Sequence, residues 1–101
     1  SGNTNIFGTL TCSSNITAYS DERLKTDIET LDGSKVLKMR GVSFKRDEVE
    51  GSGVIAQELE QIAPELIMTA EDEIGTKSVA YGNLSGYLIE AVKMQAKQID
   101  E

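Results

Sequence analysis

The first 20 residues, SGNTNIFGTLTCSSNITAYS, contain no Asp, Glu, Lys or Arg, and all 17 acidic and 10 basic side chains follow them. This break at Ser20 constrains the fold most, because it divides the chain into two unlike parts. The first part is rich in Ser, Thr, Asn and Gly, and its apolar residues alternate only in pairs, Leu10 with Cys12 and Ile16 with Ala18. It reads as short strands and turns with too little apolar surface for a core of its own. Residues 1–19 are therefore expected to be the end of a β-rich body that continues upstream, with Ser1-Gly2 an arbitrary boundary. Residues 20–101 are expected to form the domain proper.

A 101-residue chain with 39% hydrophobic residues, three Tyr, two Phe and no Trp can build only a modest core. A monomer of this size buries roughly 60–70% of its unfolded surface, so association is a natural source of further burial. The net charge of −7 argues against nucleic acid and against anionic membrane surfaces as partners. No run of about 18 apolar residues is present to cross a bilayer. Cys12 is the single cysteine, so no internal disulfide forms. There is no His, which removes Ser-His and Cys-His catalysis and His-based metal sites. The acids follow no calcium-loop spacing, and Gly51-Ser52-Gly53 lacks the Gly-Lys-Ser/Thr of a phosphate loop. No metal and no cofactor are expected. For acid–base work near neutral pH, Lys is the remaining unusual base.

Along the domain, Leu24, Ile28 and Leu31 give a weak helical stripe over 21–31. Ser34 is a candidate cap for a short helix over 35–40, ended by Gly41. Residues 48–53 read as a polar, Gly-rich turn, and Gln57 to Ala63 as a helix stopped by Pro64. Leu66-Ile67-Met68 and Lys77-Ser78-Val79 flank an acidic turn, the pattern of a hairpin. Short strands are expected at 42–46, 53–56, 66–70 and 77–81. Asn83 is a candidate N-cap for the last helix. There Leu84, Leu88, Val92, Gln95 and Ile99 form one stripe beside Ala91, with coiled-coil spacing from Leu88 onward. The fold class is α+β: short antiparallel strands and helices, with a long C-terminal helix expected to form a trimeric three-helix bundle.

The segment Ser20-Asp21-Glu22-Arg23-Leu24-Lys25 suits a helix start, with Ser20 as cap and Asp21 and Glu22 in the first turn. It also resembles the S-D-x-R-x-K signature of the intramolecular chaperone, or auto-processing, domain. That domain ends many phage tailspikes and tail fibres, endosialidases among them, and occurs in the myelin regulatory factor family of transcription factors. Gly53-Val54-Ile55-Ala56-Gln57-Glu58-Leu59, with Ala63-Pro64-Glu65 after it, resembles the family's second block. Val79-Ala80-Tyr81, with Leu84 and Leu88, resembles its third, which leads into a C-terminal coiled coil. The three blocks occur in order and span residue 20 to about 101.

The resemblance implies a homotrimer that holds three chains in register while the upstream fibre body of the same chain folds. It implies a virion tail fibre or spike precursor, assembled in the host cytoplasm. The domain would then cut itself off between Tyr19 and Ser20, with Ser20 and Lys25 as the catalytic pair. A serine hydroxyl needs a base, and a lysine of pKa about 10.4 serves only if burial or a nearby cation releases its proton. Arg23 is such a cation, while Asp21 and Glu22 oppose it. The resemblance makes Asp21 and Arg23 supporting residues that hold the site or the trimer. Gln57, a possible oxyanion donor, and Glu58 are supporting or helix-start residues, and Tyr81 is a core or interface aromatic. Two alternatives stand beside this reading: a permanent trimerisation cap without chemistry, and the auto-processing domain of a membrane-tethered transcription factor.

Overall fold

A computed structural model describes residues 2–100; Ser1 and Glu101, the outermost residues of the two expected domains, lie outside it. The fold is α+β. Its elements are β1 (Val42–Arg46), β2 (Val49–Gly53), α1 (Ala56–Glu60), β3 (Ile67–Thr69), β4 (Lys77–Val79) and α2 (Leu84–Asp100), with 3-10 turns at Glu22–Leu24, Gly33–Lys38, Pro64–Leu66 and Tyr81–Asn83. The strands form two separate antiparallel pairs, β1 with β2 and β3 with β4.

The core is small. Leu59, Ala63, Leu66 and Tyr87 are buried, each at most 2% exposed, and Val36, Met39, Val54, Ile67, Val79 and Leu84 pack around them. α1 and α2 thus meet through the 3-10 turn at Pro64–Leu66. α2 also lies against the 3-10 turn Gly33–Lys38. Gly33 is buried there because its backbone abuts the helix: a Cβ would sit 2.5 Å from the Ala91 nitrogen and the Glu90 carbonyl carbon.

Several expected elements form differently. No strand forms among residues 2–19, which are exposed throughout. The 21–31 stripe yields only the 3-10 turn Glu22–Leu24, since Asp27 takes a left-handed φ of 53° that breaks a right-handed helix. Leu24 and Ile28 are both 70% exposed. Asp32, not Ser34, caps the next turn: its Oδ1 accepts from the Ser34 N–H at 3.0 Å and the Ser34 hydroxyl at 2.6 Å. That turn is 3-10 and covers 33–38, not 35–40.

The stretch read as a turn at 48–53 is largely β2, and the expected strand 53–56 is instead a connection into α1. The reversal is the two-residue turn Asp47-Glu48, with φ of 51° and 67°, as in a type I′ hairpin. Gly51 belongs to the strand because it faces Phe44 across the pair; a Cβ there would sit 2.8 Å from the Phe44 ring. Strand β3 is shorter than 66–70 and β4 shorter than 77–81. In the turn between them Gly75 has φ 63°, and Asp72 Oδ1 accepts from the Thr76 N–H at 2.8 Å.

Asn83 lies inside the 3-10 turn that runs into α2, and Ala80 takes the cap position without a side-chain bond. α2 itself has 17 residues, about 26 Å at 1.5 Å per residue. Its apolar stripe divides into two. Leu84, Tyr87, Ala91 and Met94 turn inward, while Leu88, Val92 and Ile99 are exposed, Ile99 by 84%.

Candidate functional site

Ser20 and Lys25 are five residues apart, a spacing that neither regular structure brings together. In an α-helix they would point about 140° apart, and in a strand to opposite faces. A single 3-10 turn between two extended residues, Asp21 and Lys25, does bring them together. Leu24 N–H donates to the Asp21 carbonyl at 3.0 Å and Lys25 N–H to the Glu22 carbonyl at 3.1 Å. Lys25 Nζ then reaches Ser20 Oγ at 2.6 Å.

The turn is closed by its own residues. Asp21 Oδ1 accepts from the Arg23 N–H at 2.9 Å and from Arg23 Nε at 3.0 Å, and Oδ2 accepts from the Arg23 terminal nitrogen at 2.7 Å. The Arg23 side-chain and backbone donors hold the Asp21 carboxyl below its ordinary value, and the same pair raises Arg23. No residue of the turn is buried, and Tyr19 beside it is 96% exposed.

An ammonium at Lys25 donates to Ser20 Oγ. A neutral amine at the same 2.6 Å accepts the hydroxyl hydrogen instead. One geometry therefore serves both the resting contact and removal of the serine proton.

The supporting residues separate into two places. Asp21 and Arg23 lie in the turn. Gln57 and Glu58 lie on α1, and among the described residues neither is hydrogen-bonded to Ser20 or Lys25. Glu58 pairs with Arg40 in a two-pronged contact, 3.1 Å from Nε and 2.6 Å from the terminal nitrogen, which draws its carboxyl below the ordinary value. This ties α1 to the chain that follows the 33–38 turn. Gln57 faces an open groove walled by Phe44, Val54, Val79 and Tyr81. Tyr81 is half exposed, and its hydroxyl accepts from the Val54 N–H at 3.4 Å. A Cβ on Gly53 would lie 2.5 Å from that oxygen, so the glycine of the second block makes room for the tyrosine of the third.

Arg40 and the Tyr87–Glu65 hydrogen bond were not legible in the sequence. Arg40 is 18 residues from its partner. Tyr87 gave a signal, three residues after Leu84 and four before Ala91, but on the stripe adjacent to the one singled out. Among the described residues no cluster of acids, Cys or His is placed to hold a metal, and no helix is long and apolar enough to cross a membrane.

Residues 20–68 match a peptidase family described as the chaperone of endosialidase. The matched segment belongs to that family. Its first matched residue is Ser20, at the charge break, and the match includes the Ser20–Lys25 turn and all of the second block. Two relatives, the long tail fiber proteins Gp37 of Enterobacteria phages K3 and T2, are each 30% identical over 98 residues, covering 86% of this chain. The chain spans only 8% and 7% of their lengths, so this endosialidase-chaperone segment corresponds to a small part of either fibre protein.

Proposed function

We propose that this chain is the intramolecular chaperone end of a phage tail fibre or tailspike, which assembles as a homotrimer, templates folding of the upstream body, and then cuts itself free between Tyr19 and Ser20. Residues 1–19 are then the end of the fibre, and 20–101 the released domain. The observation that carries the reading is the 2.6 Å contact of Lys25 Nζ with Ser20 Oγ inside the family segment. The tail-fibre relatives favour a fibre over the transcription-factor branch. The exposed stripe Leu88, Val92 and Ile99 on α2, left free by the chain's own core, supports association through that helix.

In this mechanism neutral Lys25 takes the hydroxyl proton as Ser20 Oγ attacks the Tyr19 carbonyl carbon. The C–N bond of the Tyr19–Ser20 peptide breaks, and the proton passes from Nζ to the departing Ser20 amine. Tyr19 is left as an ester on Oγ. Water hydrolyses the ester, leaving a Tyr19 carboxylate and a free Ser20 hydroxyl. Nucleophile and target carbonyl are adjacent in the chain, so proximity is built in. An ammonium in water keeps its proton at neutral pH, and desolvation favours its release. Packing of three chains around the exposed turn is the source of that desolvation, which makes cutting conditional on assembly.

A permanent trimerisation cap is the competing reading, favoured for an isolated chain by the exposure of Lys25. Intact mass under denaturing conditions separates the two, with sedimentation to establish the trimer. The parent is expected to split between Tyr19 and Ser20 while Ser20→Ala and Lys25→Ala stay whole. A confirmed trimer that remains a single species through long incubation would establish the cap instead.

A further inference from the structure

We propose that the Asp21–Arg23 pair is a positioning device for the Ser20–Lys25 contact, in which Asp21 closes the turn that carries Lys25 and Arg23 cancels the charge that Asp21 introduces. The proposal rests on the cleavage reading above and adds roles for two residues that do not touch the reacting atoms.

The turn has no packing to hold it, since none of its residues is buried. It is held by two backbone hydrogen bonds, Leu24 N–H to the Asp21 carbonyl and Lys25 N–H to the Glu22 carbonyl, and by one side-chain cap, the Arg23 N–H donating to Asp21 Oδ1 at 2.9 Å. Without an acceptor at residue 21 the turn keeps only its two backbone bonds and loses the side-chain cap at its start, which loosens the frame of the 2.6 Å reach from Lys25 to Ser20. A carboxylate is a strong acceptor for this task, but it opposes the chemistry. A negative charge near Lys25 favours the ammonium, and the mechanism needs the amine. Arg23 answers this by engaging both carboxylate oxygens through Nε and a terminal nitrogen. The pair is close to neutral as seen from Lys25, and the cap remains. Among the described residues the polar partner of Lys25 is Ser20 alone; Glu22 and Asp27 flank the lysine in sequence and are unchanged in each variant below.

Cap and charge separate by substitution. Asp21→Asn keeps an oxygen acceptor and removes the charge, Asp21→Ala removes both, and Arg23→Gln leaves the carboxylate bare. The first-order rate of self-cleavage of the full chain is followed by denaturing mass from pH 6 to 10. In Arg23→Gln the rising limb of the profile should move to higher pH by about half a unit to one unit. In Asp21→Asn it should move the other way, with the plateau within a few-fold of the parent. In Asp21→Ala the plateau should fall roughly tenfold or more.

An unmoved limb in Arg23→Gln, or an Asn variant as slow as the Ala variant, overturns the proposal while leaving the catalytic pair intact. Absence of cutting in the parent defeats the cleavage reading instead. The charge arrangement is then decided on the Ser20→Ala background by trace acetylation of Lys25 with acetic anhydride. Adding Arg23→Gln should lower its labelling rate at fixed pH about three-fold or more; an equal rate removes the proposal.

Discussion

The two ends of this small chain are held by different physics. From residue 33 onward, α1, α2 and the turns between them close on Leu59, Ala63, Leu66 and Tyr87. From residue 2 to residue 32 no side chain is buried, and the order present comes from hydrogen bonds between near neighbours. The Ser20–Lys25 contact lies in the second region. The site proposed to cut its own chain thus lies where local bonds fix its geometry and no residue of the turn is buried. The accessible surface tells the same story: 9062 Å², against about 5,600 Å² for a compact monomer of 11.0 kDa. The radius of gyration, 16.2 Å, likewise exceeds the roughly 13 Å of a compact domain this long.

The contrast is tested most severely at its stronger side. Leu66→Ala deletes a side chain 2% exposed at the junction of α1, β3 and α2, and should cost about 2–5 kcal/mol by urea unfolding on the Ser20→Ala background. The cost should appear without any change in the local Ser20–Lys25 turn, followed by NMR shifts of residues 20–25 in mild conditions. Shifts there that track the loss of core packing would break the separation between the regions.

A smaller effect belongs to Tyr87, whose hydroxyl donates to Glu65. That hydrogen bond, together with burial and the charges of Glu65 and Asp32, pushes Tyr87 up from 10.0 to about 12, and the same bond draws Glu65 below 4.5. For the tyrosine, whose folded value is raised, the stabilisation is full below pH 10 and is lost as pH rises from 10 through about 12. For the glutamate, whose folded value is lowered, it is present above pH 4.5 and is lost as pH falls below that. Tyr87→Phe should cost about 1 kcal/mol at neutral pH and flatten both limbs of the stability curve relative to the parent.

The smallest expected change sharpens the comparison. Ile28→Ala, at a position 70% exposed, should alter the stability of the single chain by less than about 0.5 kcal/mol. Measured as a function of protein concentration, a larger loss that grows with association would place Ile28 in an interface between copies. It would also show what packs beside the Ser20–Lys25 turn.

How much of this was legible beforehand depends on the range of the interactions involved. The Ser20–Lys25 pair was expected from the resemblance carried by residues 20–25. The α+β class, the hairpin around the acidic turn and the C-terminal helix come from residues close in sequence. Their periodicity, turn chemistry and motif spacing are present before any folding. Strand β2 was read as a turn because Gly51 and Gly53 look like turn residues until Phe44 and Tyr81 are seen occupying the space a Cβ would need. The 21–31 helix failed because of its stripe only Leu31 finds a neighbour, Gly86 of α2, while Leu24 and Ile28 stay 70% exposed, and an isolated helix of that length is marginal in water. Glu58 carried a motif position, but only the fold could give it Arg40 as a partner. In α2 the sequence alone determined one apolar helix; the tertiary structure decided which stripe it buries. Tyr87 and Ala91 face the 33–66 segment because Gly33 lets the backbone approach there, and Leu88, Val92 and Ile99 are left on the outside. Local periodicity fixes that a helix has faces, and only the shape of what lies against it fixes which face is used.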